Sequence, residues 1–236
     1  MIAPEQVAIA GVVTIVFTAV ARWLRGVSVS GAAAGAVVCF VIYVSAGPAA
    51  VGALAVVFAL TWVSTKFGYS RKKRLGTAES RQGRTASQVL ANLAVCTVCA
   101  AIFGLSRKPI FLLAAIAALS EAAADTVSSE LGQAHSEKAL MITTFEPVPA
   151  GTSGGITAIG TSAGLVTAIL VSLFATLTAL LPKRWLGSSV LAAGLGMMSD
   201  SFLGATLEKE KLLNNNWVNF LSTLIAAAVA ILLGRL

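Results

Sequence analysis

The chain has 236 residues, 57% of them apolar and only 11% charged, with a mean hydropathy of +0.86; so few charges cannot cover the surface of a soluble domain, which excludes that class. The net charge of +7 would suggest nucleic acid in a soluble protein. Here the bases sit in short loops between apolar runs, where membrane orientation accounts for them and no nucleic-acid partner is expected. A membrane β-barrel is excluded as well, because its strands alternate in polarity and these runs are apolar throughout.

A backbone in lipid must satisfy its own hydrogen bonds, so each apolar run of about 20 residues reads as a helix. In chain order the runs fall at roughly 6–23, 28–46, 49–65, 86–105, 109–129, 155–181, 187–206 and 217–234. The expected fold class is all-α, a polytopic transmembrane helical bundle of about eight spans forming a single integral membrane domain over residues 1–236. The first run has Glu5 before it and Arg22 and Arg25 after it, the reverse of a signal peptide, so it is expected to remain as a membrane helix. Gly47-Pro48 marks either a tight hairpin or a break within one helix.

Cytoplasmic loops carry the excess of Lys and Arg. With the N-terminus outside, the inside set holds Arg22, Arg25, every base from Lys66 to Arg84, Lys138, Lys209 and Lys211. The outside set is the smaller group Arg107, Lys108, Lys183, Arg184 and Arg235. This orientation makes residues 66–85 a basic cytoplasmic loop and residues 130–154 a second one, in a bacterial inner membrane or its equivalent. It also places both loops and the end of the seventh span on one side, where a single cytoplasmic site can draw on all three.

Small residues recur four apart at Gly31 and Gly35 and at Gly160 and Gly164, a spacing that suits close helix packing. A third stripe, Gly196, Asp200 and Gly204, differs in carrying a carboxylate. Cys39, Cys96 and Cys99 all lie inside apolar runs, which argues against a disulfide framework and makes Cys96 and Cys99 packing residues rather than a redox motif. His135 is the only histidine and falls in a loop, so a zinc site or a histidine-based triad has little support.

Ionisable groups at membrane depth cost a few kcal/mol each and mark candidate function. Glu121, Asp125 and Ser128 share one helix face, where two like charges need a cation or an arginine between them. Oxygen donors of this kind suit Mg²⁺; the alternative is a structural salt bridge to the basic loop. Glu130 is turned by about 140° from Asp125 and reaches the same site only from the helix end. Asp200 sits among Gly194, Gly196, Ser199, Ser201 and Gly204, which leaves room for metal or phosphate chemistry, whereas Glu208 beside Lys209 and Lys211 reads as a solvated charge.

Gly151-Thr152-Ser153-Gly154-Gly155 opens the sixth span and offers backbone N–H groups to an anion at a helix N-terminus, or simply caps it. Lys66, Arg71, Lys72, Lys73, Arg74, Arg81 and Arg84 form either a clamp for a polyphosphate or a patch for lipid headgroups. Asn92, early in the fourth span, is a packing hydrogen bond or a ligand contact.

Taken in order, Lys66 to Arg74 with Gly76 and Glu79, then Gly83-Arg84, Leu90-Ala91-Asn92, Ala124 to Gly132, Pro149 to Gly155 and Ser199 to Leu207 resemble an integral membrane family. That family includes transmembrane protein nineteen and the plant and cyanobacterial phytyl-phosphate kinases. The family commonly has an acidic residue or Asn between its Gly-Thr and Gly-Gly pairs, where this chain has Ser153.

The resemblance implies transfer of the terminal phosphate of a nucleoside triphosphate, typically CTP, to an isoprenoid monophosphate; the wider relatives are dolichol kinases and phosphatidate cytidylyltransferases, which use CTP and Mg²⁺. On this view Asp125 and Asp200, supported by Glu121 and Glu130, hold Mg²⁺, and Arg84 joins the two aspartates as a catalytic group. Lys66, Arg71, Lys72, Lys73, Arg74, Asn92, Ser128, Ser129, Ser201 and the loop Gly151 to Gly155 bind nucleotide and substrate phosphates, and apolar grooves hold the tail. A phosphate monoester is already a nucleophile at neutral pH, so the shortage of histidine is no obstacle. Two alternatives stay open: a cytidylyltransferase that makes a CDP-lipid, and a transporter whose carboxylates bind a coupling cation.

Overall fold

The computed structural model describes residues 4–235. Its helices are α1 (Pro4–Trp23), α2 (Val29–Ala46), α3 (Pro48–Lys66), α4 (Tyr69–Leu75), α5 (Ala86–Ser106), α6 (Pro109–His135), α7 (Ala158–Leu177), α8 (Leu186–Leu203) and α9 (Asn215–Leu233). Among the described residues eight helices are long and apolar enough to cross a membrane, every one except the short basic α4. The chain is a multi-pass helical membrane protein.

The helix boundaries follow local chemistry. Gly47, at a positive φ of 81°, ends α2, and Pro48 opens α3 at its first position, so the Gly-Pro pair makes a tight hairpin between two spans. The span containing α8 begins in a 3₁₀ turn at Lys183 and ends in a π-helical turn, Gly204–Glu208. Such widened turns recur at functional sites.

Helix α6 is the centre of the bundle, packed by α3, α5, α7, α8 and α9. Its run from Leu112 to Ala124 is buried throughout and is mostly alanine, which allows neighbouring backbones to approach from every side. The tightest crossing is with α7: a Cβ on Gly160 would lie 2.5 Å from the Ser128 carbonyl oxygen, and one on Gly164 would lie 2.9 Å from that of Ala124. The packing expected of this glycine pair is observed. In the same core Ser120, Ser172 and Ser189 link α6, α7 and α8 through hydroxyl contacts of 3.2 and 2.8 Å.

The Gly31–Gly35 pair does something else. A Cβ on Gly31 would sit 2.1 Å from the Arg84 carbonyl oxygen, so this glycine admits a loop backbone rather than a neighbouring helix, while a Cβ on Gly35 would meet nothing within 4 Å.

The two polar loops carry more structure than expected. Within 66–85, Tyr69 to Leu75 form α4. In the second loop, α6 continues to His135, and a three-stranded antiparallel sheet follows, made of β1 (Lys138–Met141), β2 (Pro147–Pro149) and β3 (Gly155–Ile156) in the order β2-β1-β3. Ala139 pairs with Val148 and Leu140 with Ile156. These segments and the α8–α9 connection gather at one end of the bundle.

Candidate functional site

A polar cavity of about 320 Å³ opens at that end. Helix α6 contributes Asp125, Ser128 and Ser129; the tail of the seventh span contributes Asp200, Ser201 and Glu208; and the loop 151–155 closes the far wall. Asp125 and Asp200 come from different helices yet border the same cavity, and Glu208 borders it with them. The structure thus joins the two sequence-predicted aspartates, and it turns Glu208 inward beside them while Lys209 and Lys211 stay exposed, correcting the solvated reading of Glu208.

Among the described residues Arg84 is the only Lys or Arg on the cavity wall, which it shares with Asp125. Its position is built by its backbone. The Arg84 amide donates to the Gly26 carbonyl at 3.0 Å, and its carbonyl accepts from the Ser28 amide at 2.9 Å. Gly83, at φ 82°, lets the chain pass so close to Gly26 and Val27 that a Cβ there would lie 2.5 Å from their backbone atoms. With the backbone fixed, the guanidinium reaches inward: Nη2 donates to Thr126 Oγ1 at 3.2 Å, and Nε lies 4.0 Å from Glu79 Oε2.

A chain of amides braces Asp200. With the Asn219 amide oriented so that donors meet acceptors, its nitrogen donates to Asp200 Oδ2 and to the Asn215 carbonyl, each at 3.2 Å. Its oxygen accepts from Asn92 Nδ2 at 3.1 Å, which gives Asn92 a role in holding the site. Sequence reasoning missed Asn215 and Asn219; two amides four residues apart at the start of an apolar span are the signal that points to them.

The loop 151–155 forms a concave run of amides. Gly151 (φ 89°) and Gly154 (φ 79°) adopt left-handed conformations, and the N–H groups of Gly151, Ser153 and Gly154 make no hydrogen bond to another described residue. Successive N–H groups in alternating backbone conformations make an anion-binding concavity. The loop does not open the sixth span directly, as expected, because Thr157 caps α7 through its side chain and β3 intervenes. Gly154 presses against the π-helical turn, where a Cβ would lie 2.4 Å from that of Ala205, so this loop and the end of the seventh span form one wall.

Several predicted ligands lie elsewhere. Lys72 is fully buried: its ammonium pairs with Glu130 and donates to the Ser64 and Thr65 carbonyls at 3.0 and 2.9 Å, so it pins α4 to α6 instead of meeting a phosphate. Glu130 borders the cavity, but one of its oxygens is engaged by Lys72. The helical phase of α4 turns Lys73 and Arg74 outward, Arg71 lies 4.0 Å from Glu137, and Lys66 borders a different, apolar space; none of these four lines the polar cavity.

Glu121 is buried behind the aspartates with both oxygens unpartnered, in room left by Gly196. Among the described residues no group of three or more His, Cys, Asp or Glu side chains could hold a metal ion, so the four-carboxylate set does not converge as a cage. Replacing Lys72 with Met should leave Glu130 without its cation and lower stability by about 3 kcal/mol. Thermal unfolding in detergent checks this, and Lys72→Met combined with Glu130→Gln should recover part of the loss.

A family model described as "Integral membrane protein DUF92" matches residues 12–227. The chain belongs to the DUF92 family of integral membrane proteins. One relative is an uncharacterized membrane protein of Methanocaldococcus jannaschii, 36% identical over 75% of this chain and 72% of that protein. Another relative of this DUF92 protein, Protein VTE6, chloroplastic, of Arabidopsis thaliana, is 29% identical over 89% of this chain and 66% of its own length. An uncharacterized membrane protein of Synechocystis is 33% identical over 71% and 67% respectively. No solved structure matches.

Proposed function

We propose that this DUF92 protein transfers the terminal phosphate of CTP to an isoprenoid monophosphate such as phytyl or geranylgeranyl phosphate, giving the diphosphate. The observation that carries this reading is the pairing of Asp125 with Asp200, beside one arginine and opposite the free amides of loop 151–154, around one cavity. The resemblance to phytyl-phosphate kinases supplies the nucleotide and the acceptor class, and a chloroplast relative accords with it.

Two adjacent carboxylates and a polyanionic substrate repel unless a divalent cation lies between them. Asp125 and Asp200 fit Mg²⁺, which takes one or two protein carboxylates and completes its shell with substrate phosphate oxygens and water. When bound, it would neutralise charge on the transferring phosphoryl group. Arg84 would orient the phosphates from the other side, and the amides of Gly151, Ser153 and Gly154 would receive a terminal phosphate. Ser128, Ser129 and Ser201 offer hydroxyls, and Asn92 and Asn219 hold Asp200 in place.

In the transfer, an oxygen of the acceptor monophosphate forms a bond to the γ-phosphorus and the bond from that phosphorus to the β-bridging oxygen breaks. Prenyl diphosphate and CDP result. Catalysis here is positioning and charge neutralisation, and no side chain has to remove a proton. The excess of bases in the loops at this end supports a site at the cytoplasmic face, with the N-terminus outside.

The test is purified protein with γ-labelled CTP and geranylgeranyl phosphate. Labelled prenyl diphosphate and CDP are expected, and a chelator should abolish both. Release of pyrophosphate with a CDP-lipid would overturn the kinase in favour of a cytidylyltransferase, and no product of either kind would overturn the enzyme reading.

A further inference from the structure

We infer that the apolar slot enclosed by α1, α2, α3 and α5 seats the isoprenoid tail, and that Gly35 sets the chain length it admits. This rests on the prenyl-phosphate reading above and adds to it a location and a specificity-determining residue.

The slot adjoins the polar cavity, with Glu79, Arg84 and Asn92 bordering both. A head group held at Arg84 therefore has apolar space on the other side of the same residue, leading into the bundle. Along α3 the slot is bordered from Lys66 at its polar mouth through Trp62 and Phe58 to Leu54, a rise of about 18 Å. Phe17 of α1 closes the outer side and meets Phe58 edge to face, with ring centroids 5.8 Å apart.

Several polar groups along this wall are engaged within the protein: Thr61 donates to the Val57 carbonyl at 2.9 Å, Trp62 Nε1 to that of Leu24 at 3.0 Å, and the Tyr69 hydroxyl to that of Glu79 at 3.3 Å. Arg25, Thr65, Lys66 and Ser80 lie at the polar mouth, and beyond it the lining is hydrocarbon and aromatic ring apart from Thr18, which suits a branched hydrocarbon chain.

Gly35 borders the slot six residues after Val29, the first residue of α2, a rise of about 9 Å. The free space is small, about 100 Å³, so one side chain decides how much of it survives. A Cβ at Gly35 would meet nothing within 4 Å, so the backbone there accepts the first atom of a side chain without colliding with the fold. The same is true of Gly187 at the opposite end of the bundle, which makes it a matched control.

The full-length protein in detergent provides the test. Gly35→Leu should lower the ratio of kcat/KM for geranylgeranyl phosphate to that for isopentenyl phosphate on the order of tenfold or more, and Gly187→Leu should leave the ratio as in wild type. An unchanged ratio in an active Gly35→Leu protein overturns the slot and leaves phosphoryl transfer standing.

A second measurement needs no turnover. Gly35→Cys, read against the wild-type background from the buried Cys39, Cys96 and Cys99, should react with a maleimide on the order of tenfold more slowly when geranylgeranyl phosphate is present, and isopentenyl phosphate should not protect. Protection in a protein that makes no product keeps the slot and overturns the transfer reading. No protection, or equal protection by a phosphatidate of similar chain length, overturns the slot as a prenyl site.

Discussion

Asp125→Asn is expected to lower phosphoryl transfer by about three orders of magnitude while the protein stays folded. Asparagine keeps the volume and one oxygen of the side chain but removes the charge that faces Asp200 and Arg84. A cation held by two carboxylates and substrate oxygens then loses one of its two anionic protein ligands. The loss should appear in kcat at saturating CTP and should persist when Mg²⁺ is raised. Thermal unfolding should not fall, because the variant relieves repulsion with Glu208 and Asp200. A variant keeping more than about a tenth of wild-type activity would remove Asp125 from the chemistry.

Arg84→Ala should cost about 10²- to 10³-fold in kcat/KM, with Arg84→Lys recovering only part. The guanidinium donates to Thr126 from Nη2 while Nε lies 4.0 Å from Glu79, and an ammonium has no second nitrogen with which to do both. The alanine variant separates catalysis from folding. The bonds that anchor this loop to residues 26–28 come from the Arg84 amide and carbonyl, which alanine retains. Steady-state kinetics with CTP and a prenyl phosphate, set beside thermal unfolding, decide the matter. Equal losses in stability and activity would make Arg84 structural.

The spans were legible because hydrocarbon forces long apolar runs, and the placement of Asp125 and Asp200 was legible because charge at that depth needs a purpose. The fate of the cations was not. From Lys66 to Arg74 the sequence is uniformly basic, and only the phase of a seven-residue helix decides that Lys72 turns toward Glu130 while Lys73 and Arg74 turn to solvent. Asn219 was overlooked because an uncharged amide costs less in the membrane than a carboxylate and so draws less attention. Gly31 was assigned to a helix–helix contact because spacing alone cannot tell a neighbouring helix from the loop that carries Arg84. The small sheet escaped notice because strands such as Pro147–Pro149 and Gly155–Ile156 are too short to show alternation.

The crossing of α6 and α7 leaves no slack. Gly132, Gly160 and Gly164 bring backbone against backbone over two turns, directly beneath the wall that carries Asp125. In the proposed transfer, a water-soluble reagent would descend from one face and a greasy one slide in from the side, over a crossing that binds α6 closely to α7.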